Sequence, residues 1–181
     1  MKKSILVILA HGFEEMEAIV PIDILRRADI EVTVASLESD LHVRGKNNIV
    51  VTAEVAFDDV LKKSFDAILL PGGPGARKLR GDSRLLGLVK QFYKEGKIIG
   101  AICIAPTILK EAGILEGKHY TAHFSGQDEL LDIDRELPVV RDGNIITSQG
   151  PGTTILFAFA LVEALTNKSV VEKLSKDICY F

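Results

Sequence analysis

The chain has 181 residues, of which 47% are hydrophobic and 26% are charged, and its formal net charge is −3. These proportions are typical of a globular protein, and we expect one domain over residues 1–181. The weak negative charge gives no electrostatic footprint for nucleic acid, and no segment approaches the roughly 20 apolar residues that cross a bilayer. We therefore expect no nucleic-acid or membrane partner.

Apolar runs of strand length alternate along the chain with stretches of helical periodicity. Residues 4–10 predict a buried strand, residues 16–28 a helix and residues 31–35 a second strand, which together form a βαβ unit. The later predicted elements are a segment at 48–53, a short amphipathic piece at 57–63, a buried strand at 66–70, a helix at 83–95, an apolar strand at 97–102, a helix that ends at Gly113, a hairpin of 139–141 and 144–148 around Asp142-Gly143, and a buried helix at 153–165.

This alternation predicts an α/β fold with a doubly wound, mainly parallel sheet that has helices on both faces. Ligands bind such sheets beyond the carboxyl ends of the strands. Three segments with candidate chemistry follow predicted strands, namely residues 11–17, residues 71–75 and Cys103. We expect the functional site where these segments meet.

Cys103 lies between the apolar strand and a predicted helix that opens at Ile104. A strand that enters a helix through so short a corner is typical of a nucleophile elbow. Free N–H groups of the first helical turn and the helix dipole favour a thiolate, so we expect a lowered pKa and a thiol more reactive than that of Cys179. The structural alternative is a small apolar residue at the end of a strand.

Three acids open the first predicted helix. Glu14 and Glu15 are interpreted as surface acids that complement the helix dipole, whereas Glu17 does not share a face with Glu15. Gly72-Gly73 is either a tight turn or a place where backbone N–H groups approach a ligand beside Cys103.

Four histidines and two cysteines complete the candidates. His123 is the strongest of the histidines, because a short predicted strand places it at the same sheet edge as Cys103. No Cys/His cluster has the spacing of a zinc site, so we expect no metal. Two cysteines that are far apart do not make a disulfide framework, which favours a reducing, cytoplasmic location.

Several ordered segments resemble motifs of the DJ-1/ThiJ/PfpI family over nearly the whole chain. They are ILAHGFEEME at 8–17, PID at 21–23, LLPGG at 69–73, AICIAP at 101–106 and TSQGPGT at 147–153. The resemblance implies a flavodoxin-like α/β sandwich, related to that of class I glutamine amidotransferases, and a homodimer.

The resemblance also implies roles for individual residues. Cys103 corresponds to an oxidation-prone cysteine, and Glu17 to a glutamate whose carboxyl group contacts the sulfur. Backbone N–H groups of Gly73, supported by Gly72, and of Ile104 then lie near the thiolate.

Two further residues follow from the same resemblance, and one position departs from it. His123 matches a histidine near the pocket, and Asp23 an acid beside that histidine. Ile104 stands where PfpI-type proteases have a histidine, and no His-x-Glu occurs near Gly150. The peptidase and glutamine-amidotransferase interpretations lose weight accordingly.

The leading hypothesis is a cofactor-independent enzyme that acts on methylglyoxal, glyoxal or their early adducts, as a glutathione-independent glyoxalase or a deglycase. Cys103 would attack the aldehyde carbon, and Glu17 would move protons. The alternatives are a redox-sensing or chaperone-like stress protein with an oxidisable Cys103, and a cysteine peptidase or amidase that would need His123 as its base.

Assembly is predicted from the first helix. Its apolar residues include Ile19, Val20, Ile22, Ile24 and Leu25. These are more than a single apolar stripe facing the core can hold. A second covered face is implied, and we expect Ile22 or a neighbour to lie in a homodimer interface.

Overall fold

The computed structural model describes residues 2–180, and a seven-stranded sheet forms the centre of this part of the chain. The strands are β1 (Ser4–Leu9), β2 (Glu31–Ser36), β3 (His42–Arg44), β4 (Val50–Thr52), β5 (Val55–Ala56), β6 (Ala67–Leu70), β7 (Ile98–Ile102), β8 (Val139–Asp142) and β9 (Ile145–Ser148). The helices are α1 (Glu15–Arg27), α2 (Ala76–Gly81), α3 (Ser83–Lys94), α4 (Pro106–Glu111), α5 (Thr154–Leu165) and α6 (Lys168–Asp177).

The strand order is β5-β2-β1-β6-β7-β9-β8, and only β8 runs antiparallel to its neighbour. The central part β2-β1-β6-β7-β9 has the 2-1-3-4-5 order of flavodoxin-like sheets. The predicted doubly wound, flavodoxin-like α/β fold is therefore confirmed. Strands β3 and β4 form a separate antiparallel hairpin.

Two apolar layers cover the sheet because successive side chains of a strand point to opposite faces. In β1, Leu6 and Ile8 pack with helices α2, α3 and α4, whereas Ile5, Val7 and Leu9 pack with α1 and α5. Both faces are buried, which explains why this strand is a continuous apolar run.

Most predicted bounds differ from the observed ones by one or two residues. The predictions omitted α2, α6, β3 and β5, and residues 48–53 shorten to β4. The strand expected before His123 is absent, since Tyr120 makes only an isolated bridge to Ile133.

Within residues 2–180, no helix is both long enough and apolar enough to cross a membrane.

Helix α1 has the expected second apolar face, but Ile22 does not lie on it. Ile22 is 7% exposed and belongs to the core, whereas Met16 is 50% and Ile19 is 41% exposed. Pro21 and Leu25 are buried on the core side with Ile22. The expected interface position therefore moves from Ile22 to Met16 and Ile19.

We expect a homodimer whose contact includes this face of α1. Ile19→Glu should give monomers in sedimentation velocity at micromolar concentration, because two charges would be buried at an isologous contact. Leu131→Glu, at a side chain that is 83% exposed, is the matched control and should remain dimeric. A monomeric wild-type protein would contradict the prediction.

Candidate active site

Cys103 directly follows β7 at the carboxyl edge of the sheet, and its backbone is held in an unusual conformation. Its φ of 67° lies in the left-handed region, which costs a residue with a side chain of order 1–3 kcal/mol. Two hydrogen bonds fix the turn: Cys103 N donates to Ser148 O, and His123 N donates to Cys103 O, each over 2.9 Å. The predicted strand-to-helix elbow is present.

Glu17 lies in the first turn of α1 with its side chain fully buried. Its Oε2 accepts a hydrogen bond of 2.8 Å from Gly72 N, and its carboxyl group lies close enough to the Cys103 thiol for each group to shift the pKa of the other. Its Oε1 is buried and makes no hydrogen bond of normal geometry within residues 2–180. An ionised oxygen in that position would lack any compensating donor, whereas a proton on it removes the charge.

Burial and charge set the pKa values of this pair. Burial, reinforced by the Glu14 carboxylate, raises the pKa of Glu17 from 4.5 to about 7. Burial and the negative charge of Glu17 raise the pKa of the Cys103 thiol to about 12, against hydrogen bonds from Gly73 N and Ile104 N that lower it. The expected lowered pKa is therefore wrong for a thiol that faces an ionised Glu17.

The two groups titrate as a coupled pair. When the pair loses one proton near pH 7, the Glu17 carboxyl and the Cys103 sulfur together carry one negative charge and retain one proton. When that proton lies on Glu17, the opposing charge disappears, and the N–H groups of Gly73 and Ile104 stabilise the sulfur anion. Transfer of the thiol proton to Glu17 would give a thiolate without the second negative charge that release of that proton to solvent would create.

Gly72 and Gly73 allow this close approach. A Cβ on Gly72 would lie 2.6 Å from both Cys103 Cβ and Glu17 Oε2, and 3.0 Å from Cys103 Sγ. Gly73 has a φ of 79°, and a Cβ there would lie 2.6 Å from Gly12 O. The segment is thus both a tight turn and a close backbone contact with the Cys103–Glu17 pair.

Glu14 and Glu15 are buried, which corrects their interpretation as surface acids. Glu14 Oε2 accepts a hydrogen bond from Glu17 N over 2.9 Å and so caps α1. Glu15 accepts hydrogen bonds from Asn47 N at 2.7 Å and from Asn47 Nδ2 at 3.0 Å. Glu15 thereby ties the β3–β4 hairpin to the start of α1.

A pocket of about 340 Å³ opens above the thiol. Its lining residues are Glu17, Lys46, Gly73, Pro74, Arg77, Cys103, Ile104, His123, Ser125 and Pro151. The predictions missed Lys46, which the folded hairpin brings to the pocket, and Arg77, which belongs to an unpredicted helix. No local sequence signal marks either residue.

His123 lines the pocket, but its ring is engaged elsewhere. Its Nδ1 lies 2.8 Å from Ser125 Oγ, and the ring packs on Phe124 with 4.1 Å between centroids. Burial, assisted by the charge of Lys46, lowers the pKa of His123 below 6.5, so the ring is neutral at pH 7. Within residues 2–180 its hydrogen bond to Cys103 is through the backbone, and no Cys-His side-chain pair is formed.

Asp23 does not lie beside His123 in this chain. Its carboxylate pairs with Arg27 Nε over 2.7 Å, one turn further along α1. It lines a different depression, next to Cys179. The reason is helical geometry: the (i, i+4) spacing brings Arg27 onto the same exposed face as Asp23.

The raised pKa of Glu17 predicts a pH-dependent stability. A raised carboxyl pKa means that the folded state holds the proton more tightly, so its contribution is complete below pH 4.5 and is lost as pH rises through about 7. Over this interval the free energy of unfolding of the wild type should fall by about 3 kcal/mol relative to Glu17→Gln. Urea denaturation at several pH values measures it. The exposed control Glu163→Gln retains Glu17, so its free energy of unfolding should follow the wild-type pH curve. Parallel curves for wild type and Glu17→Gln would refute the assignment.

Comparison with known proteins places this site in a family. The model of the DJ-1/PfpI family matches residues 3–164. Protein dj-1beta of Drosophila melanogaster is 40% identical over 98% of this chain and 97% of its own length. The crystal structure of Drosophila melanogaster DJ-1beta has a TM-score of 0.96 at 38% identity, over 99% of this chain and 98% of that one.

Two further relatives have names that state an activity. Glutathione-independent glyoxalase DJR-1.2 of Caenorhabditis elegans is 35% identical over 98% of this chain and 97% of its own length. Deglycase PfpI of Pyrococcus furiosus is 35% identical over 82% of this chain and 91% of its own length. With the fold, the elbow and the ordered motifs, these matches show that the chain belongs to the DJ-1/PfpI family.

Proposed function

We propose that this protein is a cysteine-dependent enzyme that acts on α-oxoaldehydes such as methylglyoxal and glyoxal, or on their early adducts. The observation that carries the proposal is the buried Cys103–Glu17 pair at the base of a pocket, in which burial raises the pKa of Glu17 to about 7. Such a pair offers a nucleophile and a proton acceptor within one site. The names of the glyoxalase and deglycase relatives support this class of substrate.

In the first step, the thiol proton moves to Glu17 as Cys103 Sγ attacks the aldehyde carbon. The carbonyl electron pair moves to oxygen, and the proton from Glu17 then completes a hemithioacetal. The N–H groups of Gly73 and Ile104, which lower the pKa of the thiol, would share the developing negative charge. A donor of this kind contributes roughly 2.7–4 kcal/mol to catalysis.

In the second step, ionised Glu17 removes the proton from the former aldehyde carbon to give an enediol, and a proton is returned to the neighbouring carbon. A thioester results, which water hydrolyses to an α-hydroxy acid and the free thiol. The aldehyde carbon is oxidised by two electrons and the ketone carbon is reduced by two. The net change is the addition of water, so the reaction needs no external oxidant or cofactor.

Glyoxalase and deglycase chemistry would reach the same Cys103 hemithioacetal by different first steps. Free methylglyoxal gives it by addition of the thiol to the aldehyde, whereas an early adduct gives it when the sulfur displaces the amine or thiol, which leaves with a proton from Glu17. A glyoxalase isomerises the bound carbonyl compound, whereas a deglycase releases an amine or thiol from an early adduct. Lactate formed from free methylglyoxal identifies the first. Release of unmodified amino acid from its adduct, at a rate above spontaneous reversal, identifies the second.

Replacement of the two central residues should separate chemistry from folding. Cys103→Ser should abolish conversion of methylglyoxal to lactate, and Glu17→Gln should lower kcat by roughly 10²–10⁴-fold, the usual contribution of a general acid or base. Cys179→Ser is the matched control, because that thiol is exposed and remote from the pocket. Circular dichroism confirms folding of each variant. Wild-type turnover in Cys103→Ser would overturn the proposal.

A redox-sensing role is the second candidate, favoured by the same donors around the sulfur. Peroxide would convert the Cys103 thiolate to a sulfenate and then a sulfinate, with water as the by-product at each stage. Protonated Glu17 and the N–H groups of Gly73 and Ile104 could hold the sulfinate oxygens. Formation of a Cys103 sulfinate that requires Glu17, in a protein that does not turn over methylglyoxal, would identify this role.

The peptidase alternative lacks a histidine side chain hydrogen-bonded to Cys103 within residues 2–180.

A further inference from the structure

We propose that Lys46 and Arg77 form an anion-recognition site at the mouth of the pocket, and that the preferred substrates are α-oxoaldehydes bearing a carboxylate. The substrate class rests on the proposed function, whereas the anion site can be tested without it. Both side chains line the pocket that contains Cys103. Glu17 is the single acid among the described lining residues, and it shares its charge with the thiol.

The two cations are unpaired among the described residues, whereas other basic side chains nearby in sequence are neutralised by acids. Within residues 2–180, neither Lys46 nor Arg77 forms an ion pair, while Lys78 pairs with Glu38 at 2.8 Å and Arg84 pairs with Asp58 at 2.5 Å. Free cations beside a pocket attract anions and are not compensated by the protein.

The backbone holds both cations in place. Lys46 N donates to Phe13 O over 2.9 Å, and the next residue, Asn47, is held by buried Glu15. A side chain on Gly45 would clash with Glu15, since its Cβ would lie 2.3 Å from Oε1. Arg77 lies in the first turn of α2, which begins at Ala76, three residues after Gly73.

The electrostatic reach of Lys46 covers the pocket. Its charge opposes the rise in the pKa of Glu17 and contributes to the lowered pKa of His123, which lie in different elements around the pocket. Methylglyoxal has no charged group to use this field. A longer α-oxoaldehyde with a terminal carboxylate could place its aldehyde at Cys103 and its anion between the two cations.

Alkylation of Cys103 tests the anion site independently of catalysis. In a Cys179→Ser background, rates with anionic iodoacetate and neutral iodoacetamide are compared by mass spectrometry of the Cys103 peptide. Lys46→Gln combined with Arg77→Gln should lower the iodoacetate-to-iodoacetamide rate ratio by about 5-fold, and added salt should lower the wild-type ratio. Lys78→Gln, on the same helix as Arg77, should leave the ratio unchanged. An unchanged ratio in the double variant would overturn the anion site.

Turnover tests the substrate class. The wild type should process γ,δ-dioxovalerate with a kcat/KM about 5-fold above that of its uncharged methyl ester, and this preference should disappear in the double variant. An equal loss for acid and ester would overturn the substrate class. If the wild type turns over no α-oxoaldehyde, the proposed function and the substrate class both fail, while the alkylation ratio still decides the anion site.

Discussion

The electrostatic coupling between the buried Glu17 carboxyl and the Cys103 thiol is the interaction on which the rest of the site depends. A buried carboxyl with one unpartnered oxygen is costly when ionised, and the sulfur anion is costly beside a second negative charge. One proton between them relieves both costs. Three local features keep the two groups close. They are the left-handed backbone conformation of Cys103, the space left by the missing side chain at Gly72 and the hydrogen bond by which Glu14 caps α1.

The fold supplies this arrangement because the carboxyl ends of β1, β6 and β7 are adjacent in the sheet. The segments that follow these strands provide Glu17, in the first turn of α1, then Gly72-Gly73 and Cys103. The strand order reverses next to β1, where flavodoxin-like sheets bind ligands. The buried apolar runs that form the three strands are therefore also what brings acid, N–H donors and nucleophile into one place.

Sequence reasoning found the elements and residues that local rules determine, and it missed those that tertiary contacts determine. Strands β1, β6 and β7 are apolar runs, and Cys103 follows one of them, so both could be predicted. The burial of Glu14 and Glu15 could not, because acids at a helix start also suit a solvated surface. Lys46 reaches the pocket only through the hairpin held by Glu15. The pKa of Cys103 depends on the carboxyl group of Glu17, which lies 86 positions away in sequence.

The central claim is that Glu17 keeps its proton to near-neutral pH beside Cys103. Nuclear magnetic resonance of protein labelled with carbon-13 at glutamate carboxyl groups tests this claim directly, with Glu17→Gln to assign the signal. The Glu17 carboxyl should titrate with a midpoint of about 7, and its midpoint should change in Cys103→Ser because the two groups are coupled. A midpoint near 4.5, the ordinary value, that is insensitive to Cys103 would contradict the account.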